Sequence, residues 1–236
     1  MRSIYIRHAD KSYGNINDMQ YFKHDPGITE IGVQRTKTIA KKLIETYGEP
    51  TQIVSSPYRR TRETALIMNS VLKSPLEEIS IDIGIAEYLG NHSNIALDVT
   101  TATSIHSPPH PENFEQMKIR VKKHIDKLKK YSRKNKKEVI WFITHGLIIK
   151  QIASTFNIKT SKQLPYLTSF SFVEEDNVLR AEFVLFRDIV LNKSPSHEKL
   201  VMVEPEKPKK IDRFLITPKS EYTGRDDMSG RKSRYI

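Results

Sequence analysis

Three features of the 236-residue chain predict an α/β fold built around a mostly parallel sheet. Val139-Ile140-Trp141-Phe142-Ile143-Thr144 is a continuous apolar run, as required of a strand buried on both faces of such a sheet. Strand-like and helix-like segments alternate along most of the chain. Two strands end in basic residues, Arg7-His8 and His145, and the carboxyl edge of an open α/β sheet is where ligands bind.

Ser3-Ile4-Tyr5-Ile6 reads as the first strand, delivering Arg7 and His8 at its end. A polar loop follows, from Lys11 to Gly27, closing in the turn signal His24-Asp25-Pro26-Gly27. Thr29 caps a helix expected to reach about Tyr47, with Ile31, Ile39, Ala40, Leu43 and Tyr47 as its buried stripe and Gly48 and Pro50 as its stop. Gln52-Ile53-Val54-Ser55 is a short buried strand. Ser56-Pro57 reads as an N-cap with proline at the first helical position, so a second helix is expected near Pro57. Its first turn carries Arg59, Arg60 and Arg62 against the helix dipole, an arrangement that an anion bound at the helix start would relieve.

Ile79 to Ile83 alternates as a third strand, with Glu87 just past it. The Ser-, Thr-, His- and Pro-rich stretch from Asn91 to Pro111 reads as a long loop, and the spacing of His92, His106 and His110 matches no compact metal pattern. A helix from about Glu112 to Arg133 places Phe114, Met117, Val121, Ile125, Leu128 and Tyr131 in one apolar arc. Residues 118–137 hold eleven Lys or Arg and one acidic residue, Asp126. That face is in the first place a solvated one, with polyanion binding through helix 112–134 as the alternative. After the Val139–Thr144 strand, Leu147 to about Phe156 is helical. Leu167 to Val173 and Val178 to Phe186 form a hairpin at the sheet edge.

A folded domain is therefore expected over residues 1–192, with a basic, disordered tail over 193–236 whose Pro, Lys and Glu content offers few core-forming residues. The net charge of +11 suits phosphorylated or polyanionic partners. The absence of cysteine excludes disulfides and thiolate catalysis. With a strand starting at Ser3 and no apolar run of membrane-spanning length, a cytoplasmic protein is expected.

Arg7-His8-Ala9, Ser55-Ser56-Pro57-Tyr58-Arg59-Arg60-Thr61-Arg62-Glu63-Thr64-Ala65 and Thr144-His145-Gly146, with Ile28-Thr29-Glu30-Ile31-Gly32 as a helix start, together resemble the histidine phosphatase superfamily in its phosphoglycerate mutase-like branch. The resemblance spans about residues 3–190, and Ala9 stands where that family usually has glycine. It implies a three-layer αβα sandwich with a mostly parallel central sheet. It makes His8 the nucleophile that becomes a phosphohistidine, with Arg7, Arg60 and His145 binding phosphoryl oxygens. Arg60 is the arginine four residues before a threonine, here Thr64. Glu87 in Ala-Glu-Tyr-Leu-Gly matches the family's general acid, whereas Glu77 and Glu78 precede the strand. Asn15 and Thr29 are further candidates for contact with the substrate phosphate.

Chemistry of this kind needs neither metal nor cofactor, because two guanidiniums and an imidazolium can neutralise charge on the equatorial oxygens of an in-line transfer. His8 must offer a neutral nitrogen, so its other nitrogen is expected to donate to a backbone carbonyl. Glu87 must carry a proton near neutral pH, and partial desolvation would raise its pKa in that direction. A phosphomonoesterase acting on a phosphorylated small molecule or phosphopeptide is the expectation. The alternatives are a phosphoglycerate mutase-type phosphotransferase and a non-catalytic polyanion-binding module using the Lys118–Lys137 face. The short Pro-rich stretch between Glu87 and Glu112 favours hydrolysis over the mutase.

Overall fold

Six strands form one mixed sheet in the order β3-β2-β4-β1-β5-β6 in a computed structural model that describes residues 1–12, 25–88, 112–132, 135–175 and 178–184. The strands are β1 (Arg2–Arg7), β2 (Gln52–Ser55), β3 (Ser80–Ile81), β4 (Val139–Thr144), β5 (Ser169–Glu175) and β6 (Val178–Val184). The first four in sequence are parallel to one another, while β5 runs antiparallel to β1 and β6 antiparallel to β5. The parallel core with a terminal hairpin at one edge is the arrangement expected from the sequence.

Side chains alternate across the sheet and make two cores. Ile4, Ile6, Ile53, Trp141 and Ile143 pack against α1 (Glu30–Tyr47) and α2 (Arg59–Asn69). Tyr5, Val54, Ile140, Phe142, Phe170 and Phe172 pack on the other face against α3 (Phe114–Ser132) and α4 (Gly146–Thr155). Both faces of β4 are thus covered, which is why its sequence is apolar without alternation. No helix among the described residues is long and apolar enough to cross a membrane.

Local signals set both ends of α1. Thr29 Oγ1 accepts from the Gly32 N–H at 3.0 Å, and Gly48, at φ +83°, closes α1 by donating to the Ile44 carbonyl. Ile31 is nevertheless 45% exposed, because the buried face of α1 runs through Gly32, Thr36, Ile39, Ala40 and Leu43, and Thr36 hides its hydroxyl on the Gly32 carbonyl. The start of α2 departs from its sequence signal: the helix begins at Arg59 with no side-chain cap. Ser56 instead extends the β2 ladder, its N–H donating to the Ile143 carbonyl at 2.9 Å, and its hydroxyl is used elsewhere.

The third strand is shorter than the alternation of Ile79 to Ile83 implies. After Ile81, the Asp82 side chain accepts from the Gly84 N–H at 2.6 Å and turns the chain into a 3-10 helix over Ile83–Ile85. On α3, Phe114 and Tyr131 lie at the ends of the helix and stay 40% and 43% exposed. His124 is buried on that face instead, its Nδ1 facing Asp82 Oδ2 and its Nε2 facing the Tyr5 hydroxyl, both at 2.7 Å. Lys122, Lys123, Lys127 and Lys130 occupy the outer face of α3 in contact with solvent. The tail over 193–236 and the loop histidines His92, His106 and His110 lie outside the described residues.

Candidate active site

Parallel strands bring their carboxyl ends to one edge of the sheet, and β1 and β4 are neighbours there, with Arg7 opposite Thr144. The His8 N–H extends the ladder by donating to the Thr144 carbonyl at 2.9 Å. His8 and His145 follow directly, their ring centroids 5.3 Å apart. Both are buried, His8 at 3% exposure and His145 at 0%. Arg60 enters from the first turn of α2. The threonine four residues on explains the spacing: Thr64 Oγ1 donates back to the Arg60 carbonyl at 2.7 Å and accepts the Ala9 N–H at 3.1 Å, tying α2 to the chain beside His8. Ala9 fits against Gly32, where an added Cβ would lie only 3.3 Å from the Ala9 methyl and 3.0 Å from the Asp10 carbonyl oxygen.

A chain of polar contacts runs through the cluster. His145 Nδ1 lies 2.8 Å from Glu87 Oε2, and Arg60 Nη2 donates to the same oxygen at 3.2 Å. Since the carboxylate can only accept, Nδ1 carries the imidazole proton and Nε2 accepts from the Ser56 hydroxyl at 2.8 Å. Asp25 holds the other side of Arg60, with Oδ1 2.8 Å from Nη1, and its second oxygen accepts from the Arg59 N–H. Arg7 donates to the Leu164 carbonyl and lies over the Tyr166 ring at 4.1 Å, and that ring is 5.5 Å from His8.

The protonation states follow from this packing. Burial, then the neighbouring His145, Arg60 and Arg7, hold His8 well below 6.5 against the opposing pull of the Ala9 carbonyl. His8 Nδ1 donates to that carbonyl at 2.8 Å, which leaves Nε2 as an unprotonated nitrogen in a basic pocket. Burial also pushes His145 down, to about 4, although Glu87 works to raise it. Glu87 differs from the sequence expectation. Burial does favour its neutral form, but His145 with its hydrogen bond, Arg60 and His8 outweigh it and hold the carboxyl well below the usual carboxylate range. Desolvation acts in the expected direction, but the Arg60 guanidinium and the His145 N–H are within contact distance of the carboxylate and outweigh it.

His8, Arg60, Glu87 and His145 are brought together, with Arg7 beside His8. Thr29 is not joined to them by any contact among the described residues, its hydroxyl being taken by the α1 cap. Asn15 lies outside the described residues. Sequence reasoning missed three members. Asp25 stood inside a turn signal, Ser56 read as a helix cap, and Tyr166 sits in a stretch without periodicity. The one available signal was Arg60 itself, since a buried arginine needs a carboxylate beside it. One donor atom each from His8, Glu87 and His145 lies within 4.8 Å of the others, a set that could ligate a metal ion. Arg60 already points a guanidinium at its carboxylate, so the field there suits an anion better.

The fold and site define an α/β protein whose basic, histidine-bearing cluster lies at the carboxyl edge of a parallel sheet, suited to an anionic group. The chain belongs to the histidine phosphatase superfamily (branch 1), matched over residues 4–170. Its fold is similar to that of a mycobacterial glucosyl-3-phosphoglycerate phosphatase at 16% identity, with a TM-score of 0.53 over 78% of this chain and 97% of that one. It is also similar to Entamoeba histolytica phosphoserine phosphatase in complex with 3-phosphoglyceric acid, at 18% identity and a TM-score of 0.54 over 80% and 98% of the two chains. No curated protein sequence matches.

Proposed function

We propose that the protein is a metal-independent phosphatase that hydrolyses a phosphomonoester through a phosphohistidine on His8. The observation that carries this reading is His8 itself: Nδ1 is committed to the Ala9 carbonyl, so Nε2 is free to attack, and Arg60 and His145 stand beside it. Phosphatases of the same fold that act on glucosyl-3-phosphoglycerate and phosphoserine support a phosphorylated small molecule as the substrate class.

In the first step His8 Nε2 forms a bond to phosphorus as the ester P–O bond breaks, while Arg7, Arg60 and His145 hold the non-bridging oxygens. The leaving oxygen takes a proton from Glu87. In the second step Glu87 takes a proton from water, the water oxygen bonds to phosphorus, and the Nε2–P bond breaks to release phosphate. Each turnover thus returns Glu87 to its acid form and His8 to its neutral form. The free site holds Glu87 ionised, so its proton is acquired with the substrate. A bound phosphoryl dianion draws Arg60 and His145 away from the carboxylate and adds its own negative charge, and both effects raise the pKa.

Rapid quenching during turnover of an aryl phosphate is expected to trap an acid-labile, base-stable phosphoryl group on His8. Turnover at the wild-type rate with the label on another residue would refute the assignment. A screen of phosphorylated metabolites, nucleotides and phosphopeptides then finds the substrate.

The pH profile supplies a separate check. Corrected for the substrate's own titration, kcat/KM is expected to rise as pH falls below about 7 and to persist through 6.5, since the protonated fraction of Glu87 grows while His8 stays neutral. Activity that falls on acidification at or above 6.5 would contradict the lowered His8 pKa.

A further inference from the structure

Unlike His8, Arg60 and His145, which strand ends and a helix start hold in place, Glu87 is positioned by no long strand or helix. β3 ends at Ile81, and the ladder it shares with β2 stops there. Between that point and Glu87 lie Asp82, the Ile83–Ile85 turn and Ala86, whose carbonyls have no strand to pair with. They are taken largely by α3. Arg120 Nη1 donates to the carbonyls of Ile83, Gly84 and Ala86 at 2.9, 3.1 and 3.2 Å, so one guanidinium nitrogen spans the segment up to the peptide bond that begins Glu87. The other two nitrogens are fixed from behind: Nε and Nη2 donate to the two oxygens of Glu112, each at 2.7 Å. Both side chains are mostly buried, at 10% and 6% exposure. Two further bonds hold the same segment, from Thr144 Oγ1 to the Ile85 carbonyl at 2.6 Å and from the Gly84 N–H to Asp82.

We propose that Arg120, braced by Glu112, is a positioning residue that holds the Ile83–Ala86 carbonyls and so sets the place from which Glu87 delivers its proton to the leaving group. The inference rests on the reading of Glu87 as the general acid. Neutralised by Glu112, Arg120 acts through geometry more than through its charge. A lysine cannot replace it. An ammonium has three donors on one atom and can face either the carbonyls or the Glu112 fork, whereas the planar guanidinium serves both. Proton transfer in the transition state is sensitive to placement, so a small shift of this segment lowers the rate only where the leaving group needs the proton.

The test is kcat/KM for a series of phosphomonoesters running from p-nitrophenyl through phenyl to alkyl phosphates, in Arg120→Lys, Glu87→Gln and the double variant. Arg120→Lys is expected to lose about 10- to 100-fold on the alkyl ester and to stay within about threefold on the p-nitrophenyl ester, where little proton assistance is needed. In the Glu87→Gln background it is expected to add nothing. Glu112→Gln, which keeps the side-chain shape, gives a milder version of the same pattern and serves if Arg120→Lys does not fold. A loss uniform along the series, or one that adds to that of Glu87→Gln, would overturn the inference and leave Arg120 as a structural residue. If Glu87→Gln itself shows no leaving-group dependence, the general-acid reading fails, and that result is distinct from a failure of Arg120 alone.

Discussion

Replacing His8 with alanine is expected to lower kcat on an aryl phosphate by about 10⁴-fold or more, since no other group offers phosphorus an unprotonated nitrogen at that position. His8 is 3% exposed and directly follows β1, and its ring donates to the carbonyl of the next residue, so truncating the side chain breaks no hydrogen bond between elements among the described residues. The stability cost is accordingly about 1–2 kcal/mol, within the ordinary range for a single substitution. Arg7, Arg60 and His145 remain, so inorganic phosphate or vanadate is expected still to bind and to protect the variant against thermal unfolding. Loss of turnover with anion binding retained separates a missing nucleophile from a damaged fold. Turnover within about tenfold of wild type would remove His8 as the attacking group.

The parts of this site that were legible in the sequence are those fixed by backbone periodicity. Arg7, His8 and His145 follow apolar runs whose ends are sharp, and a parallel sheet sends such ends to one edge, so their meeting could be expected from order alone. Thr29 and Gly48 likewise mark α1 through local chemistry. What escaped depends on contacts between distant segments. Ser56 has the composition of a cap, yet its N–H meets the carbonyl of Ile143 on β4 and its hydroxyl meets His145 just beyond that strand. His124 stood outside the apolar arc read from the sequence, yet it lies on the buried face with Met117 and Val121, and Asp82 and Tyr5 satisfy it there. The sign of the Glu87 shift is the sharpest case. Desolvation can be inferred for a residue near a cleft, whereas the 2.8 and 3.2 Å contacts that reverse it cannot.

Arg60→Ala carries the second large effect, and it acts on stability as well as rate. On the proposed mechanism, in which its guanidinium contacts the transferring phosphoryl oxygens, losing Arg60 is expected to lower kcat/KM by about 10³-fold. The same change strands Asp25, whose side chain is 2% exposed, together with Glu87, and breaking a buried pair from one side costs about 3–5 kcal/mol. Arg60→Lys is expected to keep part of the stability and little of the rate, because an ammonium cannot face Asp25 and Glu87 while also presenting two parallel donors to phosphate. The pH dependence identifies the cause. Burial already raises Asp25 above 3.8 against the pull of the Arg59 N–H, Arg60 and Arg62, and removing Arg60 raises it further. A carboxyl whose folded pKa exceeds its unfolded value binds more protons in the folded state, so the stability it contributes falls as pH rises from 3.8 through that folded pKa. The deficit of Arg60→Ala relative to wild type is therefore expected to narrow on acidification, and adding Asp25→Asn is expected to recover part of it at neutral pH. Thermal melting of the three proteins across that range measures both effects. A deficit independent of pH and unaltered by Asp25→Asn would show that Arg60 stabilises the fold by some route other than neutralising Asp25.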